Sequence, residues 1–178
     1  FKIRAAIAST AAPLWGMYAG FELCESVARP GAEENIDSEK FEYKDRDWAA
    51  ADKAGTTLAP YITQLNAIRA AHPALGQLRN IQFHRTDDDA ILCYSKHLSG
   101  EFTGSGEADT IIVVANTDPH AVRETTVHID MPTLDMPWDA EFVVRDLITG
   151  QEYDWRVNNY VRLDPYVHPV HIFAVERR

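Results

Sequence analysis

Cysteine is scarce in this chain of 178 residues, which has only Cys24 and Cys93. Two thiols make at most one bridge, so no disulfide framework holds the fold and a hydrophobic core must. That single bridge stays open on sequence grounds. The apolar surroundings, Phe21-Glu22-Leu23-Cys24 and Ala90-Ile91-Leu92-Cys93-Tyr94, favour free structural thiols and a cytoplasmic protein. Long apolar runs are also missing. No stretch approaches the roughly 18 residues of a spanning helix, and Lys2 and Arg4 followed by Ala and Ile do not make a secretory leader. Positive charge is short: 17 Lys and Arg against 27 Asp and Glu give a formal net charge of -10. Such a surface repels phosphate backbones and anionic headgroups, so neither nucleic acid nor membrane is an expected partner. A neutral partner such as a sugar is not affected by that argument.

Metal and cofactor signatures are lacking too. The seven histidines do not cluster at ligand spacing, and His168 and His171, three apart in a strand, point to opposite faces. Asp87-Asp88-Asp89 lacks the glycine and terminal glutamate of a calcium loop and reads as a turn. There is no phosphate-cradling glycine loop and no Gly-x-Ser-x-Gly nucleophile turn. No cofactor is expected, and no active site can be assembled from these residues alone.

What is present is a chain with 46% hydrophobic residues, enough to bury roughly 70% of its unfolded surface. It opens at Phe1 inside an apolar run, Phe1-Lys2-Ile3-Arg4-Ala5-Ala6-Ile7, with no Met and no cap. The expectation is the tail of a larger protein. Character changes near residue 78. Before it, Ile3 and Ile7 mark a helix closed by Pro13, and Leu14 to Phe21 reads as a fully buried strand with close-packed glycines. Arg29 to Asp52 is a long, charged, irregular connection. Thr56 and Thr57 then offer a cap for a second helix, with Pro60 in its first turn. Leu58, Ile62, Leu65 and Ile68 form its apolar stripe, and His72-Pro73 ends it.

After residue 78 the period becomes two. Eight strands are predicted over 81–85, 90–97, 110–116, 123–129, 141–146, 152–156, 160–163 and 168–175, separated by turn signals that include Thr149-Gly150 and Asn158-Asn159. Short antiparallel strands at this spacing predict a β-sandwich, with residues 100–107 a mobile hairpin loop. The helix–strand–helix start is expected to be the end of a (β/α)8 barrel, because a parallel strand needs neighbours on both sides.

Two polar groupings invite a chemical reading. Glu33 to Trp48 interleaves charged residues with Phe41, Tyr43 and Trp48, which suits either sugar binding or a solvated loop pinned by its aromatics. Glu22 and Glu25 are either paired carboxylates for glycoside chemistry or, as such residues more often are, hydrogen-bonding groups of a loop.

Three segments carry a family resemblance: Pro13 to Glu25, Glu33 to Trp48, and Leu65-Asn66-Ala67-Ile68-Arg69-Ala70-Ala71-His72-Pro73-Ala74-Leu75. They resemble the last barrel strand, the donor-site loop and the last barrel helix of α-amylase-type glycoside hydrolase family 13, in its α-1,4-glucan:maltose-1-phosphate maltosyltransferase subfamily. Val113-Val114-Ala115-Asn116 and Asp146-Leu147-Ile148-Thr149-Gly150 fit family 13 more broadly. The resemblance implies residues 1–77 as the end of a catalytic barrel, with a donor-site loop over 29–52, and 78–178 as the β-sandwich C-terminal domain. It implies a retaining transferase moving maltosyl from α-maltose 1-phosphate to an α-1,4-glucan, with homodimerisation and with its catalytic carboxylates upstream of Phe1. The isolated chain is then expected to be inactive. The family's Lys-Tyr pair at the donor matches Lys40-Phe41, where Phe41 keeps the ring but loses the hydroxyl; Glu39 and Tyr18 are supporting candidates. Two alternatives remain. One is another family 13 enzyme, a trehalose synthase or an amylase-like hydrolase. The other is a glucan-binding sandwich, for which Trp138, Trp155 and Tyr160 are the aromatics to inspect.

Overall fold

The computed structural model describes residues 1–36 and 43–176. Helices α1 (Lys2–Ala11), α2 (Trp48–Ala54) and α3 (Ala59–Ala71) precede strands β1 (Ile81–Thr86), β2 (Ile91–Leu98), β3 (Asp109–Asn116), β4 (Arg123–His128), β5 (Phe142–Asp146), β6 (Glu152–Trp155), β7 (Asn158–Leu163) and β8 (Val170–Glu176). Every expected strand forms, each within two residues of its anticipated bounds. Helix α1 ends at Ala11, and the residue before Pro13 is extended, as proline's ring requires. In the first turn of α3, Thr57 Oγ1 accepts from the Ala59 N–H at 3.1 Å.

All strands pair antiparallel in the order β6-β5-β8-β3-β2-β1-β4-β7. The join between β1 and β4 is short, Arg85 with His128 and Thr86 with Val127. There the sheet turns back on itself and lays the paired strands β4 and β7 over one face, closing the expected sandwich. Its interior holds Ile112 and Val114 from β3, Val127 from β4, Phe142 and Val144 from β5, Trp155, Val161 and Phe173.

The opposite face of the large sheet is buried too. Ile111, Val113 and Ala115 from β3, Tyr94 from β2 and Ile172 from β8 pack against Ala5 and Ala6 of α1, Leu65 and Ile68 of α3, and Leu75. Polar contacts fix this helical layer. Gln64 Nε2 donates to Leu147 O and Ile148 O, both at 3.0 Å. Arg69 donates to the carbonyls of Ser9, Ala12 and Pro13, closing the C-terminal end of α1.

Two expectations are corrected. Leu14 to Phe21 is not a buried strand: Leu14 is 86% exposed and Tyr18 63%, and Phe21–Leu23 is a 3-10 turn. A buried strand needs hydrogen-bonding neighbours, and no strand among the described residues pairs with this segment. The connection over 29–52 is also less irregular than its charge implied. An antiparallel bridge links Ala28 to Asn35, and α2 is capped by Asp47, whose carboxylate accepts from the Ala50 N–H at 2.8 Å.

The corner between the two halves of the sheet is held by His84. Its Nδ1 faces the Asp130 backbone N–H at 3.1 Å, and its Nε2 lies 2.8 Å from Ser95 Oγ. A backbone N–H can only donate, so Nδ1 is the acceptor and Nε2 carries the proton. Burial pushes the imidazole down from 6.5 to about 4. The unfolded chain therefore binds this proton first, and stability is full above pH 6.5 and lost as pH falls toward 4. The loss expected is about 3 kcal/mol, from about 1.4 kcal/mol per pH unit. Denaturant melts at pH 7.5, 5.5 and 4.5 should show that slope. In His84→Asn, which keeps a polar, non-titrating group, this part should vanish; an identical slope would rule out His84 as its source.

Candidate functional site

The segment after α1 is organised around a tight turn. Gly20 sits at φ 104 and Cys24 at φ 57, both left-handed. The Gly20 carbonyl accepts from Leu23 N and Glu25 N at 3.1 Å, and Cys24 N donates to Phe21 O at 3.0 Å. The turn swings Glu25 back over Gly20. A side chain there would put its Cβ 2.8 Å from Glu25 Cδ and closer still to Oε2, so only glycine permits this approach.

Glu25 is thereby placed against two cations from the long connection. Arg46 Nε and Nη2 donate to its two oxygens at 3.0 Å each, and Lys44 Nζ lies 3.2 Å from Oε1. The Arg46 hydrogen bonds hold the Glu25 carboxyl below the usual carboxylate range; partial burial opposes them and Lys44 assists. Glu22 is occupied separately: its Oε2 accepts from Gly20 N at 3.1 Å, and its carbonyl accepts from Leu58 N at 2.7 Å. These two carboxylates tie the loop together. The Arg46 hydrogen bonds favour the ionised form of Glu25, and Glu22 is spent on the Gly20 N–H, so both carboxylates serve the loop.

Beside this cluster lies a cleft of about 710 Å³. Ile3, Ile7 and Phe21 give it an apolar wall, and Glu25, Arg46 and Tyr18 a polar one. Asn35 and Ile36 line it as well, four to six residues ahead of Lys40-Phe41 in the sequence. Lys40, Phe41 and Glu39 lie outside the described residues. An apolar wall facing fixed charges is the chemistry of a polar organic ligand with one hydrophobic face. Among the described residues, no group of three or more His, Cys, Asp or Glu could hold a metal, and no helix is long and apolar enough to cross a membrane.

The aromatic row sought on the sandwich does not form. Trp155 is 4% exposed and packs on Phe173 in the interior, while Trp138 and Tyr160 are exposed. Both cysteines are free, Cys93 buried and Cys24 half-buried. Arg46 and Lys44 were the site residues that pattern reading passed over. Their signal was present: two cations stand two residues apart in the sequence, and both reach Glu25.

Comparison with known proteins fits this architecture. The family model described as GLGE, C-terminal, matches residues 83–175, and the chain belongs to that family. It is 48% identical over 178 residues, 99% of the chain, to alpha-1,4-glucan:maltose-1-phosphate maltosyltransferase 2 of Streptomyces coelicolor. It is 48% identical over 98% of the chain to the maltosyltransferase of that name from Corynebacterium glutamicum, and 46% identical over 97% to that of Mycobacterium tuberculosis H37Rv. The chain spans 25%, 25% and 24% of the length of these relatives.

Gly20→Ala should cost about 1–3 kcal/mol of stability, through left-handed strain and displacement of Glu25. The same change in an Arg46→Ala background should cost less, because Glu25 is then free to move aside. Denaturant melts of the four proteins measure the coupling, and strictly additive losses would show that the two positions act independently.

Proposed function

We propose that this chain is the C-terminal portion of a retaining maltosyltransferase. The enzyme takes α-maltose 1-phosphate, releases phosphate, and places the maltosyl unit on the non-reducing end of an α-1,4-glucan. The observation that carries this reading is the match along 99% of the chain, at 48% identity, to a protein named for that reaction. On this reading residues 1–77 are the end of a (β/α)8 barrel, 29–52 cover the donor site, and 78–178 form the sandwich that buttresses them. The exposed Leu14, Met17 and Tyr18 support it, since these are side chains that neighbouring barrel elements would cover. A cytoplasmic homodimer completes the proposal.

The chemistry is a double displacement. A carboxylate attacks the anomeric carbon as the bond to phosphate breaks, forming a maltosyl-enzyme. The acceptor hydroxyl then attacks that intermediate while a second carboxyl takes its proton, and two inversions restore the α configuration. Both carboxyls are assigned to the portion of the enzyme upstream of this chain, because Glu22 and Glu25 are engaged in the loop. This chain contributes the donor contact: Lys40 donates to sugar hydroxyls and Phe41 offers a ring face.

In the complete protein, Lys40→Ala should raise KM for α-maltose 1-phosphate by about tenfold, the order expected for one charge-assisted hydrogen bond. Phosphate release with glycogen as acceptor is the assay. Donor kinetics unchanged by the substitution would remove Lys40 from the site, and no phosphate release from the unaltered protein would reject the reaction itself.

A further inference from the structure

Both limbs of the long connection land on one short stretch, residues 25–29. The outgoing limb is stitched there by backbone. Arg29 N donates to Glu34 O at 2.7 Å, Ile36 N donates to Val27 O at 2.9 Å, and Ala28 bridges Asn35. The returning limb makes no backbone bond to this stretch among the described residues. Side chains hold it instead: Arg46 gives two parallel hydrogen bonds to Glu25, and Lys44 approaches the same carboxylate. The Arg46 side chain is only 14% exposed. Its forked pair is therefore screened less, and holds harder, than an open surface pair such as Arg85 with Asp87.

Glu25 is itself fixed from the other side. The turn that carries it is tied to the start of α3, where Leu58 N and Thr57 Oγ1 donate to Glu22 O at 2.7 and 3.2 Å. Helix α3 in turn packs on the large sheet through Leu65 and Ile68. An unbroken series of contacts therefore runs from the sheet through α3 and the turn to Glu25, and from Glu25 to Lys44 and Arg46. Lys40 stands four residues from Ile36 and four from Lys44 in the sequence. Covalent geometry keeps its Cα within about 14 Å of each of these two anchors. One anchor depends on backbone pairing, and the other depends on the Glu25 carboxylate.

We propose that Glu25 is a positioning residue for the donor contact: by holding Arg46 and Lys44 it fixes the returning limb, and through that limb it sets where Lys40 meets the sugar. This rests on the reaction and the Lys40 contact proposed above. A donor that meets a pre-placed group is spared the cost of ordering it at each encounter. Loss of the placement weakens donor binding and leaves the bonds that form and break as they were. Glu25 acts here as an ionised tether, through Lys40 rather than on the reacting atoms.

The test uses the complete protein. Glu25→Gln keeps the shape of the side chain and removes its charge, and Arg46→Gln breaks the same pair from the other side. Each should raise KM for α-maltose 1-phosphate about fivefold, with the loss in KM and not in kcat and with KM for glycogen unmoved. In a Lys40→Ala background the same substitutions should add nothing further, because the group they position is gone. A purely structural loss would carry through that background in full, and this outcome overturns the proposal. Donor KM indifferent to both substitutions overturns it too. Hydrogen exchange over residues 43–48 supplies a readout that needs no turnover, and Glu25→Gln should speed it about fivefold. The two readings fail separately. An unaltered protein that releases no phosphate, yet exchanges faster on Glu25→Gln, keeps the tether and rejects the reaction. Phosphate release with exchange unchanged does the reverse.

Discussion

The structure depends on a strand buried on both faces. In β3, Ile111, Val113 and Ala115 turn to the helices while Ile112 and Val114 turn into the sandwich, and all five are fully buried. A period of two sends alternate side chains to opposite sides, so one apolar run supplies two cores. Its pairing with β2 and β8 then sets the register of the large sheet. The paired strands β4 and β7 cover one face and α1 with α3 the other. A one-residue slip of β3 would exchange its two side-chain sets between cores of different shape, which is why the register is so firmly specified.

The helical layer is joined to the sheet by side chains that satisfy backbone groups at element ends. Arg69 takes three carbonyls at the close of α1, and Gln64 takes two from the turn after β5. Lys96 is fully buried and donates to the carbonyls of Gln77, at 2.5 Å, and Leu75. Burial lowers its pKa, and the nearby Arg69 charge lowers it further. Asp146 anchors the turn that Gln64 grips. Burial works to raise its carboxyl, but His171, the Ile148 N–H and Thr149 outweigh that and hold it below 3.8. Its contribution is therefore complete above pH 3.8 and lost as pH falls through its lower folded value.

The β half was legible because alternation and turn residues agree over 81–176, where each strand covers one or both cores. The failures have local causes. Asn158-Asn159 reads as a turn but belongs to β7; Asn159 does a turn's work from the strand, accepting from Arg156 N and donating to Arg156 O. Helix α2 was missed although Asp47 and the left-handed Gly55 bracket it, because charge density in the long connection outweighed two capping signals. Leu14 to Phe21 was misread for a deeper reason: an apolar run shows what a segment tends to bury, and the partner that buries it need not be near in sequence. The proposed donor-site pair, Lys40-Phe41, was legible only through resemblance. Neither Lys40 nor Phe41 stands out by spacing.

Charge placement bears on how a phosphorylated donor would be received. The chain carries ten more acidic than basic groups, 27 against 17, and many of its cations are already committed. Arg123 meets Asp118 and Asp88, Arg85 meets Asp87, Arg145 meets Glu176, and Arg69 and Lys96 are spent on carbonyls. In the long connection, Lys44 and Arg46 both face Glu25, and the Glu22 charge acts on Arg46 as well, so two carboxylates offset the two cations beside the cleft. On the proposed reaction, the described part of this chain therefore offers the sugar a shaped wall and offers the phosphate little. The negative charge of the leaving group must then be met chiefly by groups in the remaining three quarters of such an enzyme, with Lys40 as this chain's own contribution to holding the donor.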